Sequence, residues 1–235
     1  MHIIKPTLFA LGLCCVPWTA AHAQDAAVTP KTADANQVLL KATGPYEDMA
    51  HYAIARKDDQ VIKFLAVADT SAGEIVKMLP ADEAKEFEAL RGKLHKAIEA
   101  KDRVATADCS VTIFRLLIDR CDGSTLVVPR EVDLLDYAGY KLAVLAAAPN
   151  PDWTAIIKLA DESEAWWKAV APRVQDKHLR ATMTSAIVGM KQAAAENNLS
   201  MLKYAAQMDL DLVDLLEDGF KVAKARLGGA ASGGR

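Results

Sequence analysis

Four methionines near the end of the chain have a spacing that could create a binding site for a soft metal. Met183 and Met190 are seven residues apart, as are Met201 and Met208. If each pair lies on one helix, a tight turn between the two helices would bring both pairs to one seam. Thioether sulfur is a ligand for Cu(I) and for haem iron. The pattern is compatible with copper or haem, but methionine more often fills an irregular apolar seam, which we favour here.

Aromatic residues suggest a second kind of site, because an exposed large ring can mark a recognition surface. When the chain is compared with itself, Trp166 aligns with Glu74. If one tryptophan is exposed, we therefore expect it to be Trp166, which would then contribute to a binding groove. Tyr140 and Phe220 are candidates for the same groove. The alternative, which we favour, is that Trp166 lies beneath a neighbouring part of the chain, since large aromatic side chains are mostly buried.

Histidine and acidic residues do not form a recognisable metal-binding or catalytic motif. Asp48 and His51 could share a helical face, but a di-iron bundle needs two Glu-x-x-His pairs and two further carboxylates. The acidic run at 209–218 lacks the glycine turn of a calcium loop, and Asp211, Asp214 and Asp218 within it are predicted to form a solvated acidic face. The sequence contains no Gly-x-Ser-x-Gly, His-Glu-x-x-His or phosphate-binding glycine loop. Catalytic residues can come from distant positions, so an enzymatic role stays open without a motif to support it.

The elements that would carry these residues are amphipathic helices. Apolar residues such as Val61, Leu65 and Ala68 recur at the three- and four-residue spacing of one buried stripe. The pattern predicts helices near 46–57, 60–79, 81–99, 102–120, 132–148, 152–171, 174–196 and 199–220. A β-hairpin around Asp122-Gly123 is the local alternative to the fourth helix, because β-branched residues flank that pair.

The chain also contains a repeat of itself. Residues 67–80 align without gaps on 159–172, and residues 111–119 parallel 210–218. Such repetition is typical of helical arrays and duplicated bundles. We therefore predict an all-α fold built as two tandem, internally duplicated four-helix units, in a bundle or a helical-repeat stack. The predicted segments are a signal peptide at 1–23, a mobile leader at 24–44, unit 1 at 45–122, a linker at 123–130, unit 2 at 131–222 and a flexible tail at 223–235.

The N-terminus predicts export from the cytoplasm. Lys5 precedes a short apolar run, and Ala21-His22-Ala23 has the small-x-small pattern of a cleavage site, so we expect cleavage after Ala23 and a periplasmic protein. The apolar run is shorter than the roughly 20 residues that span a bilayer, and the chain is not expected to cross a membrane. The net charge of −3 at pH 7, without a basic tract, argues against nucleic acid as a partner.

These observations favour a non-enzymatic periplasmic binding or adaptor protein. Its partner would be a segment of another envelope protein or a small apolar ligand, and no cofactor is expected. The alternative function is a metal- or haem-binding bundle that uses the methionine seam. Neither follows from the fold, because one fold supports many functions.

Overall fold

The computed structural model describes the backbone of residues 33–232 and the side chains of residues 35–225. This part of the chain is all-helical and contains no strand, so the hairpin alternative around Asp122-Gly123 is wrong. A short 3₁₀ turn at Ala171–Arg173 follows the sixth helix. The eight α-helices are α1 (Ala33–Ile54), α2 (Asp58–Met78), α3 (Ala81–Glu99), α4 (Arg103–Arg120), α5 (Arg130–Ala147), α6 (Trp153–Val170), α7 (Lys177–Ala195) and α8 (Leu199–Ser232).

Aspartate and proline residues determine where several helices begin. The carboxylates of Asp102, Asp152 and Asp176 accept hydrogen bonds from backbone N–H groups in the first turns of α4, α6 and α7. Such a cap satisfies donors that have no partner inside the helix and contributes about 1 kcal/mol. Pro80 and Pro129 precede α3 and α5. The fixed φ of proline favours a helix start. Its missing N–H costs nothing there, because no hydrogen bond of the helix would use it.

The first helix begins well before the predicted position. Residues 33–44 belong to α1, so the prediction of a mobile leader is wrong for that segment. Leu39 and Ala42 are buried in the core. The rest of the predicted leader and the predicted signal peptide at 1–23 lie outside the described residues.

A polar contact fixes the start of α1. The Nδ2 group of Asn36 donates to the carbonyl of Asp122 at 2.9 Å and to the hydroxyl of Thr125 at 2.7 Å. The Oδ1 atom of Asn36 accepts from the backbone N–H of Asp122 at 2.8 Å. These partners lie far away in the sequence, in the loop between α4 and α5. Local apolar periodicity therefore could not reveal that this segment is ordered.

The last helix also extends beyond its predicted end. The backbone of α8 is helical to Ser232, where a flexible tail was predicted from residue 223. The linker predicted at 123–130 corresponds to the loop between α4 and α5, which ends at residue 129 because α5 begins at Arg130. None of the helices in the described part of the chain has the length and hydropathy that a membrane span requires.

The helices pack in two sets. In the first set α1 contacts α2 and α4, and α3 contacts the same two helices, so the four helices form a closed ring. Helices α5–α8 contact one another in the same cyclic order. Helix α5 also contacts α4 and α1, which joins the two sets. Each set has its own buried apolar cluster, with Phe87 and Leu117 in the first and Leu135 and Met190 in the second. Burial of each large apolar side chain contributes about 1.5–3 kcal/mol.

Candidate functional site

A cavity of about 500 Å³ opens between the start of α7 and the second half of α8. Apolar side chains form most of its wall: Val174, Leu179, Leu216, Phe220 and Val222. Val174 and Leu216 belong to the buried core, whereas Val222 is exposed. The cavity is therefore an apolar recess that reaches from the surface to the second cluster.

The local sequence explains why this recess exists. The 3₁₀ turn at Ala171–Arg173 contains a proline, and α7 begins only at Lys177, so a short extended segment crosses the end of the helices. Val174 anchors that segment in the core. On the opposite wall Gly219 has no side chain, and nothing lies within 4 Å of the position that a Cβ atom would take. No side chain from position 219 therefore enters the cavity.

Charged groups lie at the rim of the cavity. The guanidinium carbon of Arg173 lies 5.5 Å from the ring centre of Phe220, a distance typical of a cation–π contact. Asp176 and Asp218 line the same opening. Hydrogen bonds from the backbone N–H groups of Leu179 and His178 lower the pKa of Asp176, whose carboxylate caps α7.

The structure does not bring the three predicted aromatic residues together. Phe220 lines the cavity, whereas Trp166 on α6 makes an edge-to-face contact with Tyr137 at 6.5 Å between ring centres. Tyr140 is half-buried against the first cluster. Burial, followed by the nearby carboxyl of Asp136, raises the pKa of the Tyr140 hydroxyl far above its usual value.

Trp166 is not an exposed tryptophan and lies beneath a neighbouring part of the chain, as the favoured alternative states. Trp166 is half-buried and packs against both apolar clusters, while its alignment partner Glu74 is exposed. The reason is that α5 contacts α4, which places the side chain of Arg115 over the Trp166 ring. Glu74 on α2 has no such neighbouring helix. The predicted groove around Trp166 therefore has no structural basis, and its role in binding stays a prediction.

The four methionines line the second apolar cluster. Met183 and Met190 on α7 are fully buried, and Met201 and Met208 on α8 are half-buried against the same cluster. This placement fits the interpretation as an apolar seam. Among the described residues, no three His, Cys, Asp or Glu side chains are arranged to hold a metal ion. Thioether ligands are a separate case, and copper or haem at the seam stays a prediction.

The sequence did not reveal a group of buried and half-buried carboxyl groups contributed by α1, α5 and α8. Burial, reinforced by Glu217 and other carboxylates, raises the pKa of Glu47 to about 7 and that of Asp133 to about 8. Burial also raises the pKa values of Asp136 and Asp209 well above the usual range.

The predicted acidic face of Asp211, Asp214 and Asp218 is exposed. Asp209, which belongs to the same acidic run, is buried. A signal was present in the sequence. Asp209 stands at helical spacing between Ala205 and the apolar residues that follow it, and so lies on the apolar stripe of its helix.

Comparison of the chain with protein families, with curated proteins and with solved structures finds no match.

Proposed function

We propose that this protein is a non-enzymatic binding protein whose cavity between α7 and α8 takes a small apolar ligand. The observation that carries the proposal is the apolar recess of about 500 Å³. Its volume falls in the range of roughly 300–1,000 Å³ that ligand pockets occupy, and pockets of that kind are lined mainly by apolar side chains. The walls formed by Leu179, Leu216 and Phe220 would contact the ligand, and Arg173 and Asp218 at the rim would face any polar end.

The chemistry of the lining supports binding rather than catalysis. A general base or nucleophile works when it can reach a substrate and is activated by a neighbouring group. The Asp176 carboxylate is engaged by backbone N–H groups, and the remaining described residues of the wall are apolar, apart from the rim groups and Gln175. Burial of about 200 Å² of ligand surface would contribute roughly 5 kcal/mol before the entropic cost of association. The expected affinity is therefore modest.

The test uses the neutral apolar probe N-phenyl-1-naphthylamine, whose fluorescence rises when it leaves water. Gly219→Leu adds a large apolar side chain at a residue that lines the cavity, and nothing lies within 4 Å of the Cβ position that it would occupy. Gly92→Leu on α3 is the matched control, since Gly92 is also exposed within a helix and its Cβ position is also open. Both changes replace a poor helix former and favour the helix by about 1 kcal/mol.

We expect the wild type and Gly92→Leu to bind the probe saturably with equal affinity, and Gly219→Leu to bind it roughly tenfold more weakly or not at all. Equal binding by Gly219→Leu and Gly92→Leu would mean that the cavity is not the binding site. Absence of saturable binding to the wild type would remove the proposed function.

We also infer that α1–α4 and α5–α8 are two copies of one ancestral four-helix unit. The cyclic order of helix contacts is the same in both sets. Six buried positions of α1 recur at the same spacing among the buried positions of α5: Leu39, Ala42, Thr43, Tyr46, Met49 and Ala53 correspond to Val132, Leu135, Asp136, Gly139, Leu142 and Ala146. Ala50 is an exception, because it is buried whereas Ala143 is half-buried. Phe87 and Leu94 on α3 and Met183 and Met190 on α7 are buried in the same way.

Export to the periplasm is part of the proposal and rests on the sequence of the first 23 residues. Lys5, the apolar run and the Ala21-His22-Ala23 pattern support it. Mass spectrometry of the protein from its native envelope is expected to find Gln24 as the first residue. An N-terminus that retains Lys5 would contradict cleavage after Ala23.

A further inference from the structure

Asp209 is an acidic residue in a fully apolar position of the second cluster. It is 0% exposed, and neither of its carboxyl oxygens has a hydrogen-bond partner. On the same face of α8 its neighbours are the buried side chains of Ala205, Ala206, Leu212 and Val213. An ionised carboxylate without a partner is far more costly to bury than a neutral carboxyl group. The fold therefore requires Asp209 to carry its proton.

Close packing of two helices aims the Asp209 carboxyl at α5. A Cβ atom on Gly139 would lie 2.6 Å from Cδ2 of Leu210 and 2.9 Å from Oδ2 of Asp209. Both distances are shorter than real Cβ contacts, so any side chain at position 139 would force the side chains of Leu210 and Asp209 to move. The carboxyl oxygen of Asp209 thus lies against the backbone of α5.

Asp136 brings a second carboxyl group to the same seam. It precedes Gly139 by one helical turn on α5 and is 8% exposed. Burial raises the pKa of Asp136 well above its usual value, and the charges of Glu47 and then Asp209 raise it further. Ionisation of either carboxyl group therefore opposes ionisation of the other.

The groups around this pair are almost all acidic. Glu47 on α1, Asp133 and Tyr140 on α5 and Glu217 on α8 interact with Asp136. Four further groups interact with Glu47 or Asp133: Asp48, Glu131, Asp214 and Lys221. The Nζ atom of Lys221 lies 2.6 Å from Oε2 of Glu217 and is engaged by it. The surroundings thus favour the protonated form of both aspartates.

We propose that Asp136 and Asp209 form a proton-operated switch, in which both carboxyl groups are protonated while α5 and α8 are packed together and proton release separates the two helices near Gly139. In the step itself, a carboxyl O–H bond breaks, the proton goes to water or hydroxide, and the carboxylate keeps the electron pair. The new charge is hydrated only if water enters the seam. Because Leu216 and Phe220 follow Asp209 on α8, opening would also displace one wall of the cavity; this coupling rests on the proposed function.

Hydrogen exchange of the full chain tests the switch. Protection of amides in α5 and α8, corrected for the intrinsic exchange rate, is compared at about pH 5 and about pH 9. We expect protection in the wild type to fall roughly tenfold or more in α5 and α8 relative to α3. In an Asp136→Asn, Asp209→Asn double variant the fall should be clearly smaller, and what remains comes from Glu47 and Asp133, which still titrate in this range. Asp211→Asn, at an exposed position of the same helix, is the control and should behave as the wild type does. Unchanged protection in the wild type, or an equal loss in the double variant, would overturn the proposal.

A second measurement does not depend on the variants being folded. The infrared carbonyl band of a protonated carboxyl group should be present in the folded wild type at about pH 7 and disappear on unfolding, because a solvated aspartate is ionised there. Absence of that band would also overturn the proposal. Binding of N-phenyl-1-naphthylamine at the same pH values reports on the coupling alone. If hydrogen exchange shows the switch but probe binding is the same at both pH values, the switch is supported and its coupling to the cavity is rejected.

Discussion

The guanidinium carbon of Arg115 lies 5.2 Å from the ring centre of Trp166 and 5.0 Å from that of Tyr137. Arg115 belongs to α4, whereas the two rings belong to α5 and α6. The Nε group of Arg115 donates to the carboxylate of Asp119 at 2.7 Å, which holds the guanidinium in place. One cation from the first set of helices is thus held by two aromatic rings of the second set.

Replacement of Arg115 by alanine should weaken the contact between the two sets. The variant loses two cation–π contacts and the packing of the long side chain over Trp166. We expect the free energy of unfolding to fall by about 1–3 kcal/mol and fluorescence quenching of tryptophan by acrylamide to increase. Urea denaturation measures the change in the free energy of unfolding.

Arg173→Ala is the control, because it removes one cation–π contact at an exposed position and should change the free energy of unfolding by less than about 1 kcal/mol. Equal effects of the two variants would contradict the role given to Arg115.

The helices could be predicted because their signal is local. The predicted third helix at 81–99 coincides with α3, where apolar periodicity and Pro80 act within a few residues of each other. The start of α1 could not be predicted, because the contact of Asn36 with the loop before α5 joins distant parts of the chain. Amphipathic periodicity identifies a buried face only when that face is apolar, and the first turns of α1 contain few apolar residues.

The candidate sites were harder to predict than the helices. The environment of Trp166 depends on the contact between α4 and α5, and no local pattern encodes which helix covers a given ring. The cavity depends on the short segment before α7 and on the absence of a side chain at Gly219. Asp209 could have been recognised as buried from its helical spacing. Its protonation, however, depends on how α8 packs against α5 at Gly139, which no local pattern shows.

The buried carboxyl groups predict that the folded protein loses stability as the pH rises. The pKa values of Glu47 and Asp133 are about 7 and about 8 in the folded state, above those of the unfolded chain. At any pH between the unfolded and the folded pKa of a group, the folded state binds more protons than the unfolded state. The contribution of each group to the free energy of unfolding is therefore complete below about pH 4 and is lost as the pH rises through 7 for Glu47 and 8 for Asp133. Each group contributes a slope of at most about 1.4 kcal/mol per pH unit. The lowered pKa of Asp176 acts at acidic pH, outside this window.

Urea denaturation between about pH 5 and about pH 9 measures this slope. Glu47→Gln removes one titrating group, so the loss of stability with pH should become shallower. Glu74→Gln, at an exposed position on α2, serves as the control and should leave the slope unchanged. Stability that is constant or rises over this range in the wild type would show that these carboxyl groups do not titrate as the structure indicates.

Substitutions of the methionines at the seam between α7 and α8 can distinguish a packing role from metal or haem binding. Met183 and Met190 are fully buried, and their counterparts in the first set are the buried Phe87 and Leu94. If the seam serves packing alone, leucine fills the same volume, and Met183→Leu and Met190→Leu should each change the free energy of unfolding by less than about 1.5 kcal/mol. Alanine at either position leaves a cavity and should lower the free energy of unfolding by about 2–5 kcal/mol.

Thermal unfolding with and without Cu(I) or haem then separates the two interpretations, because a ligand that binds the folded state raises its stability. A rise in the wild type that the leucine variants abolish would favour a thioether site over an apolar seam.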